Sequence, residues 1–232
     1  MKTAFHKYFM ALLLLSLPLL SAGQGRVYTK SARMADFPTK TTKVVLTGQT
    51  VLDALLKEEF TSRWRISPYE FCDIDEYNRQ KSAGLYYFIH FASDAEFTYM
   101  LLTKGGPESG TDPLKTALEV VSLPISAAGT PSSDELIFLP AFIDIVQEYV
   151  QKALVSEKTA YLGLKGIRRG STRGKTLCRD EAEGRKLFLE AAPDTVVPVM
   201  IWPSGDGPAK HYYRMLISTD THVLYGFKRG RM

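Results

Sequence analysis

The chain has 232 residues, of which 45% are hydrophobic and 23% are charged. These fractions are those of an ordinary globular protein, and they exclude wholesale disorder, a collagen-like repeat, a coiled coil and a protein with many membrane spans. The length allows one large domain or two small ones around a substantial core.

The first 23 residues have the anatomy of a secretory signal peptide. Lys2 and Lys7 are basic, an uncharged apolar run follows at Phe9–Leu20, and Ser21-Ala22-Gly23 offers small residues before Gln24. About a dozen apolar residues are too few for a membrane-spanning anchor. We therefore expect cleavage near Gly23-Gln24 and a periplasmic or secreted protein.

Cleavage would remove two lysines and no acid, so the formal net charge of +4 falls to +2. Such a small charge gives no case for nucleic acid as a partner. No later run is long and apolar enough to cross a bilayer, so we expect no transmembrane segment after cleavage. Gln24 stands where a lipoprotein would need cysteine, and lipid anchoring is not expected.

Residues 24–42 are polar and lack periodicity, which predicts a mobile leader. Residues 43–104 predict a first α/β unit, because short β-branched runs alternate with an apolar stripe at helical spacing. Its predicted elements are a strand at 43–46, a helix at 50–63, a strand at 68–72, a short polar helix at 73–81, and a hairpin of strands at 85–91 and 96–103.

Residues 105–160 predict a connector that contains a strand at 118–123 and a long helix. Ser132 and Glu135 have the spacing of a capping box. Pro140 lies inside the apolar pattern, so the helix is expected to restart or kink there. Residues 161–232 predict a second α/β unit, with a strand at 175–178, a helix at 180–191, a strand at 195–202, and a hairpin of strands at 212–217 and 222–227.

The two hairpins align without a gap, and the alignment places Tyr86 on Tyr212 and Asp94 on Asp220. The preceding strand, helix and strand also correspond. The predicted fold is therefore α/β (α+β) with mixed sheets, in which two related β-α-β-β-β units are joined by a strand and a long helix. An internal duplication predicts the same strand order in both units.

The run Val51–Phe60, followed by Trp64 and by Ser67–Phe71, resembles a helix-then-strand pattern in uncharacterised exported α/β proteins of Gram-negative bacteria. Over residues 43–103 the order of elements is also loosely similar to the amino-terminal domain of TolB proteins. These resemblances imply an envelope location and an α/β fold. They carry no catalytic signature, so no functional residue is transferred.

A stretch without acidic residues runs from residue 160 to residue 179 and is rich in basic ones. Two interpretations stay open: a solvated flexible loop between two domains, or a docking surface for an anionic lipid surface or an acidic envelope protein. The basic residues of this stretch are Lys165, Arg168, Arg169, Arg173, Lys175 and Arg179.

Cys72 and Cys178 form an even pair in an oxidising compartment, which is compatible with a disulfide or with two buried thiols. No metal site is predicted, since the histidines are widely spaced. The run Gly170–Thr176 has three residues between its glycines, whereas a phosphate loop needs four. We expect no cofactor.

These observations favour a non-catalytic binding or assembly role in the envelope. The alternative is a hydrolase whose site is assembled from distant residues. Such a site would gather His90, His211 or His222 with a carboxylate or a hydroxyl in one concave pocket.

Overall fold

The computed structural model describes residues 29–204 and 211–231. The predicted signal peptide therefore lies outside the described residues. Helices and two mixed sheets make up the described chain, so the predicted α/β class is confirmed. No helix in these two ranges combines the length and the apolar character that crossing a membrane requires.

The first sheet contains strands β1 to β5. Their bounds are β1 (Thr42–Val45), β2 (Tyr69–Cys72), β3 (Tyr87–Ser93), β4 (Phe97–Lys104) and β5 (Leu118–Ala127). The spatial order is β2-β1-β3-β4-β5. Strand β1 is parallel to both of its neighbours, whereas β3, β4 and β5 form an antiparallel meander.

The second sheet contains β6 (Thr176–Leu177), β7 (Thr195–Ile201), β8 (His211–Ser218) and β9 (Leu224–Arg231). Its order is β6-β7-β8-β9, with only the first pair parallel. The α-helices are α1 (Lys30–Arg33), α2 (Thr50–Arg63), α3 (Ile74–Gln80), α4 (Ser133–Leu136), α5 (Leu139–Val155), α6 (Glu157–Leu162) and α7 (Glu181–Leu189).

Alternate side chains of the first sheet face two different cores. Val44 and Ile89 belong to the large core that also contains the apolar stripe of α2. Val45 and Phe88 belong to a small cluster against which Tyr77 of α3 packs. Because neighbours along a strand point to opposite faces, α2 and α3 lie on opposite faces of this sheet.

Strand β1 is buried on both faces, and its one charged residue is fully paired. The Lys43 ammonium is 2.7 Å from the Glu70 carboxylate, pairs also with Glu76, and lies 4.5 Å from the centre of the Tyr86 ring. Burial opposes the charge, but the two carboxylates outweigh it and raise the pKa of Lys43. A charge in this strand is tolerated because both acids reach it.

The prediction of a mobile leader is wrong for residues 29–42. Met34 and Phe37 are fully buried in the large core. The Phe37 ring packs edge-on against Tyr87 at 4.7 Å, and the Tyr87 hydroxyl donates to Asp36 at 2.6 Å. Two isolated apolar residues show no periodicity in the sequence, so the pattern did not reveal that this segment packs.

The helix start in the connector follows the prediction. Ser132 and Glu135 form the capping box before α4, and the helix restarts as α5 with Pro140 in its first turn. Ten residues of α5 are buried. Nine of them, all except Gln147, belong to a core cluster that also includes Leu123 of β5 and Val197 of β7, so α5 joins the two sheets.

The two α/β units share the order of their elements but not the order of their strands, so that part of the duplication prediction is wrong. In the first unit the hairpin pairs with β1, and in the second it pairs with β7, which is the second strand of that unit. The reason is α3, which carries the chain back across β1 to its other side. The second unit has no helix between β7 and β8 in its described residues.

The hairpin registers also differ. Tyr87 faces Lys104 in the first hairpin, so an equivalent register would place Tyr213 opposite Gly230. In the structure Tyr213 faces Arg229 instead. A shift of one residue moves side chains to the other face of a sheet. Tyr87 and Tyr213, which the same alignment matches, are therefore not structurally equivalent.

Replacing Phe37 with Ala tests whether the amino-terminal segment belongs to the core. Because the ring is fully buried, Phe37→Ala should lower the free energy of unfolding by about 3–5 kcal/mol. The control is Tyr161→Ala, since Tyr161 is 71% exposed; it should change stability by less than about 0.5 kcal/mol. Urea unfolding measures both, and equal stabilities of the two variants would contradict the packing described.

Candidate functional site

A cavity of about 430 Å³ opens at the carboxyl ends of β1 and β3. Strand β1 leads through α2 to β2 on one side, and β2 returns through α3 to β3 on the other side. From β1 the chain goes toward β2, and from β3 it goes toward β4, so it leaves these two neighbouring strands in opposite directions. A crevice outside the carboxyl ends of such strands is the usual ligand site of an open α/β sheet, and this volume is typical of small-molecule sites.

The lining of this cavity, which we call the switch-point pocket, carries no Asp, Glu, Lys or Arg among the described residues. Its apolar part comes from both strand ends, both helices and the loop after β5, and includes Leu46, Leu52, Ile74, Tyr77, Phe91 and Pro131. Its polar side chains are Thr47, Gln49, His90, Ser93, Thr98 and Thr130.

The loop between β1 and α2 is fixed by a side chain of the helix itself. Gly48 has a φ of 81°, which favours glycine. The Asp53 carboxylate accepts hydrogen bonds from the Thr47 amide at 2.7 Å and from the Gly48 amide at 2.9 Å. A negative charge therefore already occupies the amino end of α2, which disfavours a second anion there.

The rim opposite α2 is held by hydroxyl groups. Ser93 and Thr98 share a hydrogen bond of 2.8 Å across the hairpin, and the Thr98 hydroxyl donates to the Gly129 carbonyl at 2.8 Å. The Gln49 amide donates to the Thr130 hydroxyl at 2.9 Å, linking the two sides of the pocket. The Thr98 hydroxyl is saturated, since it also accepts from the Gly129 amide at 3.1 Å. Ser93, Gln49 and Thr130 keep hydrogen-bonding capacity for a ligand.

His90 projects from β3 into the pocket and is kept neutral. Its ring lies 5.1 Å from the Tyr77 ring, and its Nε2 is 3.4 Å from the Thr103 hydroxyl. Burial lowers the pKa of His90 to about 4. With the imidazole uncharged at neutral pH, the whole lining is neutral.

Sequence reasoning identified His90 but missed the rest of the pocket. Its residues come from separate segments, and each of them is an ordinary loop or helix residue by itself. The one available signal was the strand, glycine and helix succession at 43–50, which places a loop at the carboxyl end of a strand.

The six basic residues do not line the switch-point pocket. Five are exposed and Lys175 is partly exposed. The Lys175 ammonium pairs with Asp194 at 2.6 Å, and Arg169 approaches Glu148 at 3.8 Å. The Arg169 amide donates to the Leu224 carbonyl at 2.7 Å, so the stretch is attached to the start of β9 rather than free along its whole length.

Of the two alternatives for the cysteines, the structure has the buried thiols, since Cys72 and Cys178 are both free. Cys72 ends the edge strand β2 and belongs to the small cluster under α3, whereas Cys178 follows β6 and belongs to the large core. The two lie in different sheets and different clusters. Burial raises the pKa of Cys72 to about 11, so this thiol stays protonated at neutral pH.

The histidines are not gathered into one site. His222 bonds through Nδ1 to the Asp144 carboxylate at 2.6 Å, and Arg63 donates to the same carboxylate at 3.0 Å. The His222 ring also stacks on Phe188 at 5.3 Å. Arg63, Asp144 and His222 thus connect α2, α5 and the β8–β9 turn. Within the described residues no serine, threonine or cysteine side chain bonds to His222, so the group lacks a nucleophile.

A metal centre has no support in the described chain. Among residues 29–204 and 211–231, no three His, Cys, Asp or Glu side chains group together as metal ligands would. Comparisons of the sequence and structure with protein-family models, with curated proteins and with solved structures gave no match. The resemblance to exported proteins and to the TolB domain therefore stays a prediction.

The neutral state of His90 predicts a pH-dependent stability. The unfolded chain binds a proton near the usual pKa of 6.5, but the folded chain binds it only near 4. The stability of the fold that depends on an unprotonated His90 is therefore complete above pH 6.5, and it is lost as the pH falls toward 4. Between pH 7.5 and pH 5, the native protein should lose about 2 kcal/mol more stability than His90→Gln.

Urea unfolding at the two pH values measures this difference, and NMR titration of the ring protons measures the pKa itself. The acids of the chain titrate equally in both proteins, so the comparison isolates His90. Titration of His90 near pH 6.5 would show that the ring is not buried as described.

Proposed function

We propose that the protein is an exported envelope protein with a non-catalytic binding role, and that the switch-point pocket holds its ligand. The ligand class is a neutral small molecule with both apolar and hydrogen-bonding groups, such as an uncharged sugar or a capped peptide. The observation that carries this proposal is an uncharged lining of hydroxyl, amide and aromatic groups in a cavity of about 430 Å³.

The chemistry of the lining favours a neutral ligand for two reasons. An ionised group entering the pocket would lose its water without meeting an opposite charge, which is costly. A neutral sugar or peptide group would instead find amide and hydroxyl partners at Gln49 and Ser93 and an aromatic surface at Tyr77 and Phe91.

Binding is favoured over hydrolysis because the groups that catalysis needs are separated. His90 is a weak base, since its pKa is lowered to about 4, and no carboxylate stands beside it in the pocket lining. The His222–Asp144 pair has suitable geometry for a base and its orienting acid. Within the described residues, however, neither side chain lines the switch-point pocket.

The anatomy of residues 1–23 supports export to the periplasm or beyond. The exposed basic residues of the 160–179 stretch support contact with an acidic envelope protein or an anionic surface. The ion pairs of Arg169 and Lys175 leave Lys165, Arg168, Arg173 and Arg179 as the basic side chains best placed for that contact.

Blocking the pocket should abolish ligand binding. Ala92 lines the pocket at the end of β3, so Ala92→Trp fills its mouth with an indole. We expect a neutral saccharide or a capped dipeptide to raise the melting temperature of the native protein and to have no effect on this variant.

The matched control is Ala95→Trp, because Ala95 lies in the exposed β3–β4 turn and does not line the pocket. It should retain the melting shift. Equal shifts in Ala92→Trp and Ala95→Trp would exclude the pocket as the site. Turnover of an ester or glycoside probe that His222→Gln abolishes would favour the hydrolase alternative instead.

Export predicts a defined amino terminus. When the full gene product is expressed in a Gram-negative host, intact mass and terminal sequencing of the periplasmic fraction should show a chain that begins near Gln24. Replacing Gly23 with a bulky charged residue should block processing, because a small residue is required directly before the cleavage point. A membrane-bound chain that retains residues 1–20 would contradict the proposal.

A further inference from the structure

A second cavity, of about 560 Å³, lies at the opposite end of the same strands. It opens where the chain enters β1 and β3. The amino-terminal segment supplies Asp36 and Lys40, the turn before β3 supplies Gly84, and the end of β4 with its following loop supplies Lys104 and Lys115. We call it the lysine cavity. It shares no lining residue with the switch-point pocket.

Lys104 forms the floor of the lysine cavity. Its side chain is only 7% exposed, and its ammonium donates to the Asp36 carboxylate at 2.9 Å and to the Arg33 carbonyl at 2.7 Å. An ammonium has three N–H donors. Among the described residues, the third has no oxygen or nitrogen acceptor; the ammonium lies 5.7 Å from the centre of the Tyr87 ring, and the side chain is almost removed from water.

Asp36 is already shared by three donors. The Tyr87 hydroxyl donates to it at 2.6 Å, Lys104 binds the same oxygen, and Lys40 lies 3.2 Å from the other oxygen. Burial opposes the ionised form of Asp36, but these three donors outweigh it and lower its pKa. One carboxylate against Lys40, Lys104 and Lys115 leaves the lining with a formal excess of two positive charges.

The walls of the lysine cavity are held in place by backbone contacts. Arg33 donates to the carbonyls of Thr116 and Ala117, each at 3.0 Å, which ties the loop after β4 to the amino-terminal segment. Gly106 has a φ of 148°, and a Cβ at this position would come within 2.1 Å of the Lys115 carbonyl oxygen. The loop therefore folds tightly onto itself beside the cavity.

Apolar groups also line the lysine cavity. They include Ala32, Ala83, Pro107 and Leu114. A bare inorganic anion would leave these groups facing water, whereas an organic anion would cover them with its methylene groups. A buried ammonium at Lys104, an exposed one at Lys115 and apolar walls together describe a ligand that has negative charge at two ends and an apolar middle.

We propose that the lysine cavity binds a short aliphatic dicarboxylate. One carboxylate accepts from Lys104 and Lys40 on the floor, and the other pairs with Lys115 at the rim, which is exposed. This site is independent of the switch-point pocket and of the neutral ligand proposed for it.

Calorimetric titration of the exported protein with succinate tests this proposal at low ionic strength, where charge pairing is least screened. Succinate should bind with one site per chain, and its uncharged dimethyl ester should not bind. Lys115→Gln should weaken succinate binding about fivefold, because a rim pair contributes up to about 1 kcal/mol. Lys104→Met should abolish binding. If Lys104→Met fails to fold, the result for Lys115→Gln still decides the test.

The matched control is Lys158→Gln, which removes the same charge from an exposed position on α6 outside the cavity. It should bind succinate like the native protein, and so should Ala92→Trp. The proposal is overturned if succinate does not bind at millimolar concentration, if sulfate binds as tightly as succinate, or if Lys115→Gln and Lys158→Gln weaken binding equally.

Discussion

Strand β1 has a parallel partner on each edge and a packed layer on each face, and the rest of the first unit depends on this arrangement. All four of its residues are buried. A strand enclosed in this way must be followed by helices on both faces, which places α2 against the large core and α3 against the small cluster. The switch-point pocket is the opening between the segments that follow β1 and β3.

The same strand explains why the amino-terminal segment packs. Before β1 begins, the chain must cover the entry ends of β1 and β3, and it does so with Phe37 on Tyr87 and Asp36 on Lys104. One end of the strand pair thus carries an uncharged crevice, and the other carries a cavity with excess positive charge. The neutral ligand and the dicarboxylate that we propose would therefore occupy the two ends without competing.

Local patterns were sufficient to predict most of the elements, although the short helices α1 and α6 were not predicted. The stripe of α2, the capping box at Ser132 and the restart at Pro140 all depend on neighbours within a few residues. Strand order could not be predicted in this way, because it depends on the side of β1 on which the chain lies after α3. The tyrosine matches between the hairpins carry no information about that side.

The sites were harder to predict for the same reason. Thr47, Tyr77 and Thr130 meet only after the sheet has formed, and Lys104 becomes a buried ammonium only when Asp36 reaches it from a segment without periodicity. The count of cysteines left a disulfide and two buried thiols open, and only the packing of Cys72 and Cys178 into separate clusters decides between them.

The central claim is that the uncharged crevice at the ends of β1 and β3 is a ligand site. Amide chemical-shift mapping tests it most directly, with a neutral saccharide or capped dipeptide that stabilises the protein. We expect the largest shifts on Thr47, His90 and Thr130, which come from three separate segments of the chain. Shifts concentrated in the 160–179 stretch or around Asp144 and His222, with the crevice unchanged, would contradict it.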